Sequence, residues 1–338
     1  MGNKIFCIVF FILGIISCNN HKNEKYLGDC NNIIYTKDSI RNINTNIIFG
    51  RSDLYVIDSF LVVSERTPSG EKGVHLFNKN NFHYVTSTVI LGKGPNEVTE
   101  HGTISFNKKD RSLWISDYGK MVMWKFPLDS ILNNKNYKPT EKKDLSITFM
   151  ERYSFFNDSI AIGKAVTLFN NTFEMKMAKL NLFTNEIEGY GYEHPRATDE
   201  KSNSEFKLSL KDSIYINCYA FCDLMTICDL DGQLICNVYG HDWGTKREKM
   251  KTYYYDVDII NGNIVASYVD GKRIIVDQNQ RERGNIPTKF MLFDLKGNYK
   301  KTIETGYRFI SFCVDEDNNR IIAYYDGREN PLGYFNLN

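Results

Sequence analysis

The chain lacks most of the signatures by which an active site is read from sequence. Its 338 residues contain no HExxH, no GxSxG, no phosphate-cradling glycine loop and no paired CxxC, so no local catalytic motif is available to build on. Charge of one sign is equally missing. Forty-two basic residues face 41 acidic ones for a net charge of +1, and no long single-sign block occurs, which argues against a nucleic-acid footprint or a polybasic membrane patch. There is no sustained apolar stripe of helical period. The best candidate, residues 246–255, carries KREKM and then three tyrosines, a composition that favours a strand. The cysteines from Cys218 through Cys222 and Cys228 to Cys236 are spaced by 4, 6 and 8 residues, which does not fit structural zinc. With Cys30 and Cys313 they are open to two readings, a disulfide in an oxidising compartment or small core residues in strands such as Tyr215-Ile216-Asn217-Cys218.

What is present is strand material. Tyr (21) and Phe (22) are abundant, Pro (7) is scarce, and short runs of Ile, Val, Tyr and Phe alternate with Asn, Asp, Gly and Lys clusters that mark turns. A short element recurs six times: Leu76-Phe77-Asn78-Lys79, Lys125-Phe126-Pro127-Leu128, Lys179-Leu180-Asn181-Leu182, Ile227-Cys228-Asp229-Leu230, Leu292-Phe293-Asp294-Leu295 and Tyr334-Phe335-Asn336-Leu337. Its second positions are 49, 54, 48, 65 and 42 residues apart, the size of a four-stranded propeller blade. Upstream of each copy lies a polar turn followed by an apolar strand, for example Asp58-Ser59-Phe60-Leu61 and Asp212-Ser213-Ile214-Tyr215. The sixth copy ends at the carboxyl terminus with no room for a fourth strand. The otherwise unassigned stretch from Ile33 to Phe49 is therefore expected to pair there and close the ring, since closure removes the exposed sheet edge. The fold expected is an all-β, six-bladed β-propeller of four-stranded antiparallel blades, with almost no helix.

The first residues read as export. Lys4 precedes an apolar run from Ile5 to Ile16, which gives way to Asn19-Asn20-His21-Lys22-Asn23. That run is shorter than the roughly 20 residues a membrane-spanning helix needs. Ile15-Ile16-Ser17-Cys18 resembles the bacterial lipobox. The resemblance implies cleavage before Cys18 and acylation there, each buried CH₂ adding about 0.8 kcal/mol of attachment. The expected organisation is a signal peptide over 1–17, a lipidated tether over 18–30 and the propeller over 31–338.

Leu91-Gly92-Lys93-Gly94-Pro95-Asn96-Glu97-Val98 resembles the G-x-G-P-x-E signature of TolB-like six-bladed propeller lipoproteins of Bacteroidetes. The resemblance implies the fold and a lipid-anchored cell-envelope location, at the outer membrane, and carries over no catalytic residues. Taken by itself, the motif reads as a loop built by glycines of positive φ and close approach, stiffened by Pro95, with Glu97 accepting amide hydrogen bonds.

A ligand is expected on the face that carries the loops from second to third strand and from each blade to the next, because binding residues concentrate on loops over a rigid scaffold. Enlarged connections fall there at 64–73, 164–174 and 272–289. The candidates are Lys93 and Glu97 after blade one, His194 and Arg196 after blade three, His241, Asp242 and Trp243 after blade four, and Arg273, Arg281 and Arg283 in the blade-five insertion. This mixed basic and aromatic rim suits a glycan, a peptide, a carboxylate or an envelope protein. The expectation is a monomeric, non-catalytic binding or scaffold module with no cofactor. The alternative is a calcium-dependent propeller hydrolase or lyase using channel carboxylates, for which Asp58, Asp117, Asp158, Asp223, Asp270 and Asp326 stand near strand ends, though such aspartates also cap turns.

Overall fold

The six-fold element marks the end of the third strand of each blade, and its chemistry explains the repeat. The second residue is apolar and buried in every copy: Phe77, Phe126, Leu180, Cys228, Phe293 and Phe335 are all 3% exposed or less. The third residue is a turn former. The Oδ1 atoms of Asn78, Asn181, Asp229 and Asp294 each accept a backbone N–H two residues on, at 2.9 to 3.0 Å, a side-chain mimic of a backbone turn. Pro127 has no such side chain. In its blade a short helix, Leu128–Asn133, follows the third strand, and the fourth is deferred to Lys142–Asp144.

The computed structural model describes residues 23–169, 172–199, 203–244, 251–276 and 280–337. The signal segment and Cys18 lie outside the described residues. Six sheets form a ring, a six-bladed β-propeller. The first strands of blades one to six, counted outward from the channel, are Ser52–Ile57, His101–Asn107, Thr148–Phe155, Ser204–Ser209, Lys251–Ile260 and Phe309–Asp315. Hairpins carry each of them to the next strand outward. In blade five the hairpin turn is Asn261-Gly262, with φ of 48° and 69°, the positive pair that a two-residue turn between twisted strands requires.

Three amino-terminal strands finish the ring. β1 (Glu24–Tyr26) runs parallel to Leu234–Tyr239 on the outer edge of blade four. β2 (Ile33–Tyr35) runs parallel to Tyr299–Glu304 on blade five. β3 (Arg41–Asn42) pairs antiparallel with Gly333 and Tyr334 and supplies the fourth strand of blade six. Closure by an amino-terminal strand is as expected, with two corrections. The closing strand is only Arg41–Asn42, and Ile33–Tyr35 belongs to blade five. The docked part of the chain begins at Glu24, inside the stretch expected as tether, because the outer edges of blades four and five offered unpaired backbone groups for it to bond.

Apolar burial follows the ring, and its contacts are not confined to single sheets. Val62 and Leu76 of blade one pack with Ile104 and Ile115 of blade two, Trp114 of blade two with Met150 and Leu180 of blade three, and Ile162 of blade three with Tyr215 of blade four. The pattern continues with Ile216 against Ile264 between blades four and five, Val265 against Ile321 between five and six, and Ile322 against Leu61 between six and one. Ile43, just beyond β3, is 1% exposed in that last cluster. The five buried cysteines, Cys218, Cys222, Cys228, Cys236 and Cys313, are unbridged and pack in this core, and Cys30 is also free. Because Ile43 joins the closing segment to blades six and one, Ile43→Ala is expected to lower unfolding free energy by about 2–5 kcal/mol, read from urea denaturation.

Candidate functional site

The candidates named from sequence separate into three groups. Glu97 braces its own loop. Its carboxylate accepts the Gly94 N–H at 2.9 Å, Lys138 approaches it at 3.6 Å, and Lys120 ties the loop by donating to the carbonyls of Gly94 and Glu97. A Cβ on Gly92 would lie 2.3 Å from Glu97 Oε2, and one on Gly94 2.7 Å from Glu97 Cδ. The glycines of this motif therefore make room for the glutamate. The expected positive φ is not found at either. Lys93 is exposed on the same loop.

His194, Arg196, Asp242 and Trp243 do come together, beside blade four. Arg196 stacks on the Trp243 ring at 4.5 Å and donates to the Trp243 carbonyl. His194 meets Trp243 edge-on at 4.9 Å, and Tyr239 packs on Trp243 at 4.6 Å. Burial and the neighbouring Arg196 lower the His194 pKa. Asp242 pairs with Lys251 at 2.9 Å, and His241 is exposed. These contacts occupy the ring faces, so the group closes the end of blade four. The blade-five insertion folds into a two-stranded hairpin, Ile274–Val276 with Glu282–Gly284. Arg283 lies on it, Arg281 stands at its tip, and Arg273 at its base approaches the Phe221 ring at 5.6 Å. The expected blade-three loop is likewise an extended hairpin, Ile160–Phe169 with Thr172–Asn181.

The aspartates weighed for calcium hold turns and pairs. Asp117 is fully buried and accepts the N–H groups of Thr99 at 2.9 Å and Glu100 at 3.0 Å. Asp223 accepts the Asp242 N–H and the Tyr268 hydroxyl, both at 3.0 Å, and burial raises its pKa to about 6. Asp58 pairs with Arg111, Asp158 with Lys109 and Asp326 with Arg308, while Asp270 is exposed. Among the described residues no three His, Cys, Asp or Glu side chains converge to hold a metal ion.

The channel carries a different set of charges, which sequence reading missed. Asp53, Glu205 with Lys207, and Asp256 with Asp258 stand on the innermost strands of blades one, four and five, with Arg152 on that of blade three. Arg152 pairs with Glu205 and, at 3.2 Å, with Glu151. Lys207 pairs with Asp258 at 2.5 Å. Burial holds the carboxyl groups of Glu205 and Asp256 above the usual carboxylate range, against the pull of Arg152. Burial opposes the charge on Arg152 too, but Glu205, Glu151 and Asp256 outweigh it and keep the guanidinium charged. Water in the channel still reaches the group, since the Arg152 side chain stays 40% exposed.

A cavity of about 1020 Å³ opens between blades six and one, lined by Ile48, Arg51, Tyr307, Ile310, Tyr325 and Arg328 among others. Ile310 belongs to the first strand of blade six and Arg51 directly precedes that of blade one, so the cavity adjoins the channel mouth. It sits on the expected loop face, formed by the second-to-third-strand loop of blade six and the segment entering blade one. One wall is fixed: the Gly50 N–H donates to Glu65 Oε2 at 2.7 Å, His75 bridges the other oxygen of Glu65 at 3.0 Å, and Tyr324 donates to the Phe49 carbonyl at 3.1 Å. Arg328 lies between the rings of Tyr307 and Tyr325, 4.8 and 4.9 Å from their centroids, and donates to Asn42 Oδ1 at 2.7 Å. Arg328 Nη1 and the Tyr325 hydroxyl are buried without a hydrogen-bond partner, a state that buried polar groups rarely keep. The sequence cue was the cluster Tyr324-Tyr325-Asp326-Gly327-Arg328, in a loop too short to stand out as an insertion.

No family model matches the chain, and no curated protein matches it. Solved structures do. A member of the DUF4221 family from Bacteroides vulgatus superposes with a TM-score of 0.60 at 10% identity, covering 88% of this chain and 95% of that one. A protein from Bacteroides fragilis NCTC 9343 described as exported superposes with a TM-score of 0.55 at 9% identity, covering 92% and 98%. At these identities the likeness establishes a shared propeller fold.

The channel charges give a pH dependence. A carboxyl group whose pKa is raised on folding contributes stability below its unfolded value, near 4, that is lost as pH rises toward the folded value. His101 works the other way. Buried against Ser64 Oγ at 2.8 Å, its pKa is lowered by burial to about 4, so its contribution is complete above about pH 6.5 and lost below it. On the alkaline limb, Glu205→Gln is expected to flatten the fall in unfolding free energy between about pH 5 and 8 by about 1 kcal/mol or more, measured by urea denaturation across pH.

Proposed function

We propose that this chain is a lipid-anchored envelope protein, a TolB-like propeller acting as a non-catalytic binding module, and that its loop face receives a carboxylate-bearing ligand in the cavity between blades six and one. The observation that carries this reading is the cavity's own chemistry. Its volume of about 1020 Å³ is at the scale of small-molecule sites. Two guanidinium groups, Arg51 and Arg328, and three tyrosines, Tyr307, Tyr324 and Tyr325, line it beside Glu329 and Asp326, and Arg308 neutralises Asp326. Arg51 makes no ion pair among the described residues, and a planar guanidinium fork matches a carboxylate. The tyrosine rings and Ile48, which is 98% exposed, supply apolar surface for the ligand's body. The envelope location rests on the apolar run Ile5 to Ile16 and on Cys18.

Calorimetric titration with paired probes tests it: trigalacturonate against cellotriose, and a short peptide with a free carboxyl terminus against its amide. Saturable binding is expected only for a carboxylated member, weakened about tenfold or more in Arg51→Ala, as loss of a charge-assisted hydrogen bond implies. Equal binding of charged and neutral partners, binding of neither, or an Arg51→Ala protein of unchanged affinity would overturn the reading.

A further inference from the structure

The outer edge of blades four and five carries an apolar strip that the ring does not use. On β1, Tyr26 is 65% exposed, and on β2, Ile33, Ile34 and Tyr35 are 45%, 41% and 76% exposed. The strip is held rigidly. Tyr26 stacks on Tyr239 at 4.8 Å, β1 and β2 each bond a blade strand over three residue pairs, and the Tyr299 hydroxyl donates to the Asn32 carbonyl at 3.1 Å. Exposed apolar side chains in sequence neighbours on an edge strand are a liability in water, where native proteins usually place charge. The charges around them, Glu24, Lys25, Asp29, Lys37 and Asp38, are of both signs.

The position of the strip along the chain names its occupant. Cys18 precedes Glu24 by six residues, and a fully extended chain spans at most about 3.6 Å per residue. An acyl chain on Cys18 therefore holds β1 within about 20 Å of the bilayer that receives it. Tyrosine favours the membrane–water boundary, where its ring is apolar and its hydroxyl wet. Resting on the lipid-anchor reading above, we infer that Tyr26, Ile33, Ile34 and Tyr35 seat the outer edge of blades four and five in the headgroup region of the bilayer that holds the anchor. The ring then stands on its rim, its channel axis runs along the membrane plane, and the loop face with its cavity opens sideways. Charges of both signs make the contact apolar in origin and insensitive to salt.

The test uses the full-length protein from its native membrane, reconstituted in phosphatidylcholine vesicles with a doxyl-labelled lipid quenching near the headgroup. Tyr35→Trp reports the strip. Tyr84→Trp, 51% exposed on the outer strand of blade one across the ring, reports the far rim, and wild-type emission is subtracted. Mass spectrometry of the amino-terminal peptide reads acylation in parallel. With Cys18 acylated, the emission added at position 35 is expected to be largely lost to the quencher, in low and high salt alike, while that at position 84 survives. Acylated protein in which position 35 is unquenched, or is released by high salt, overturns the docking and leaves the anchor standing. An unmodified Cys18 overturns both.

Discussion

Every blade of this molecule is a sheet with two apolar faces, and neither face can be covered except by another blade. That constraint is why the structure must close. A row of six such sheets left open would expose an apolar face at each end, together with the unpaired edge of blade six. Two residues of β3, bonded to Gly333 and Tyr334, bring the amino-terminal segment to that edge, and Ile43 enters the apolar layer between the last blade and the first. The hydrogen bonds are few. The apolar layer they hold in register is what makes the closure worth having.

Closure also decides what the middle of the molecule is. Once the ring is closed, the six first strands stand side by side around its centre, and polar side chains on them meet across blades. Carboxylates from blades one, four and five are then drawn around Arg152 from blade three, whose charge opposes the rise that burial gives the pKa values of Glu205 and Asp256. The cavity has the same origin. Its walls come from the two ends of the chain, Asn42 to Arg51 on one side and Tyr307 to Leu332 on the other, and they adjoin only because the last blade packs on the first.

Blade architecture was legible in the sequence because it is local. An apolar residue followed by Asn or Asp at the end of a strand, as in Phe77-Asn78 and Phe293-Asp294, both fills the core and turns the chain, so the pair recurs at the end of the third strand in every blade but the second, where Pro127 follows Phe126. The site was legible only in part. His194, Arg196 and Trp243 are expected in a mixed basic and aromatic rim open to a ligand, but they stack on one another and on Tyr239, a pairing of residues some 45 positions apart that no local pattern records. Glu97 was read correctly as a loop acceptor, while its glycines serve space and not φ.

The sequence alone determined the blade count, the strand order within blades and the need for an amino-terminal closing strand, because periodic burial and turn chemistry act over a few residues. Only the tertiary structure decided which three residues lie on blade five and which two close blade six, which carboxylates meet Arg152, and where the cavity lies. Those outcomes depend on contacts between residues separated by most of the chain, and such contacts exist only after the ring has closed.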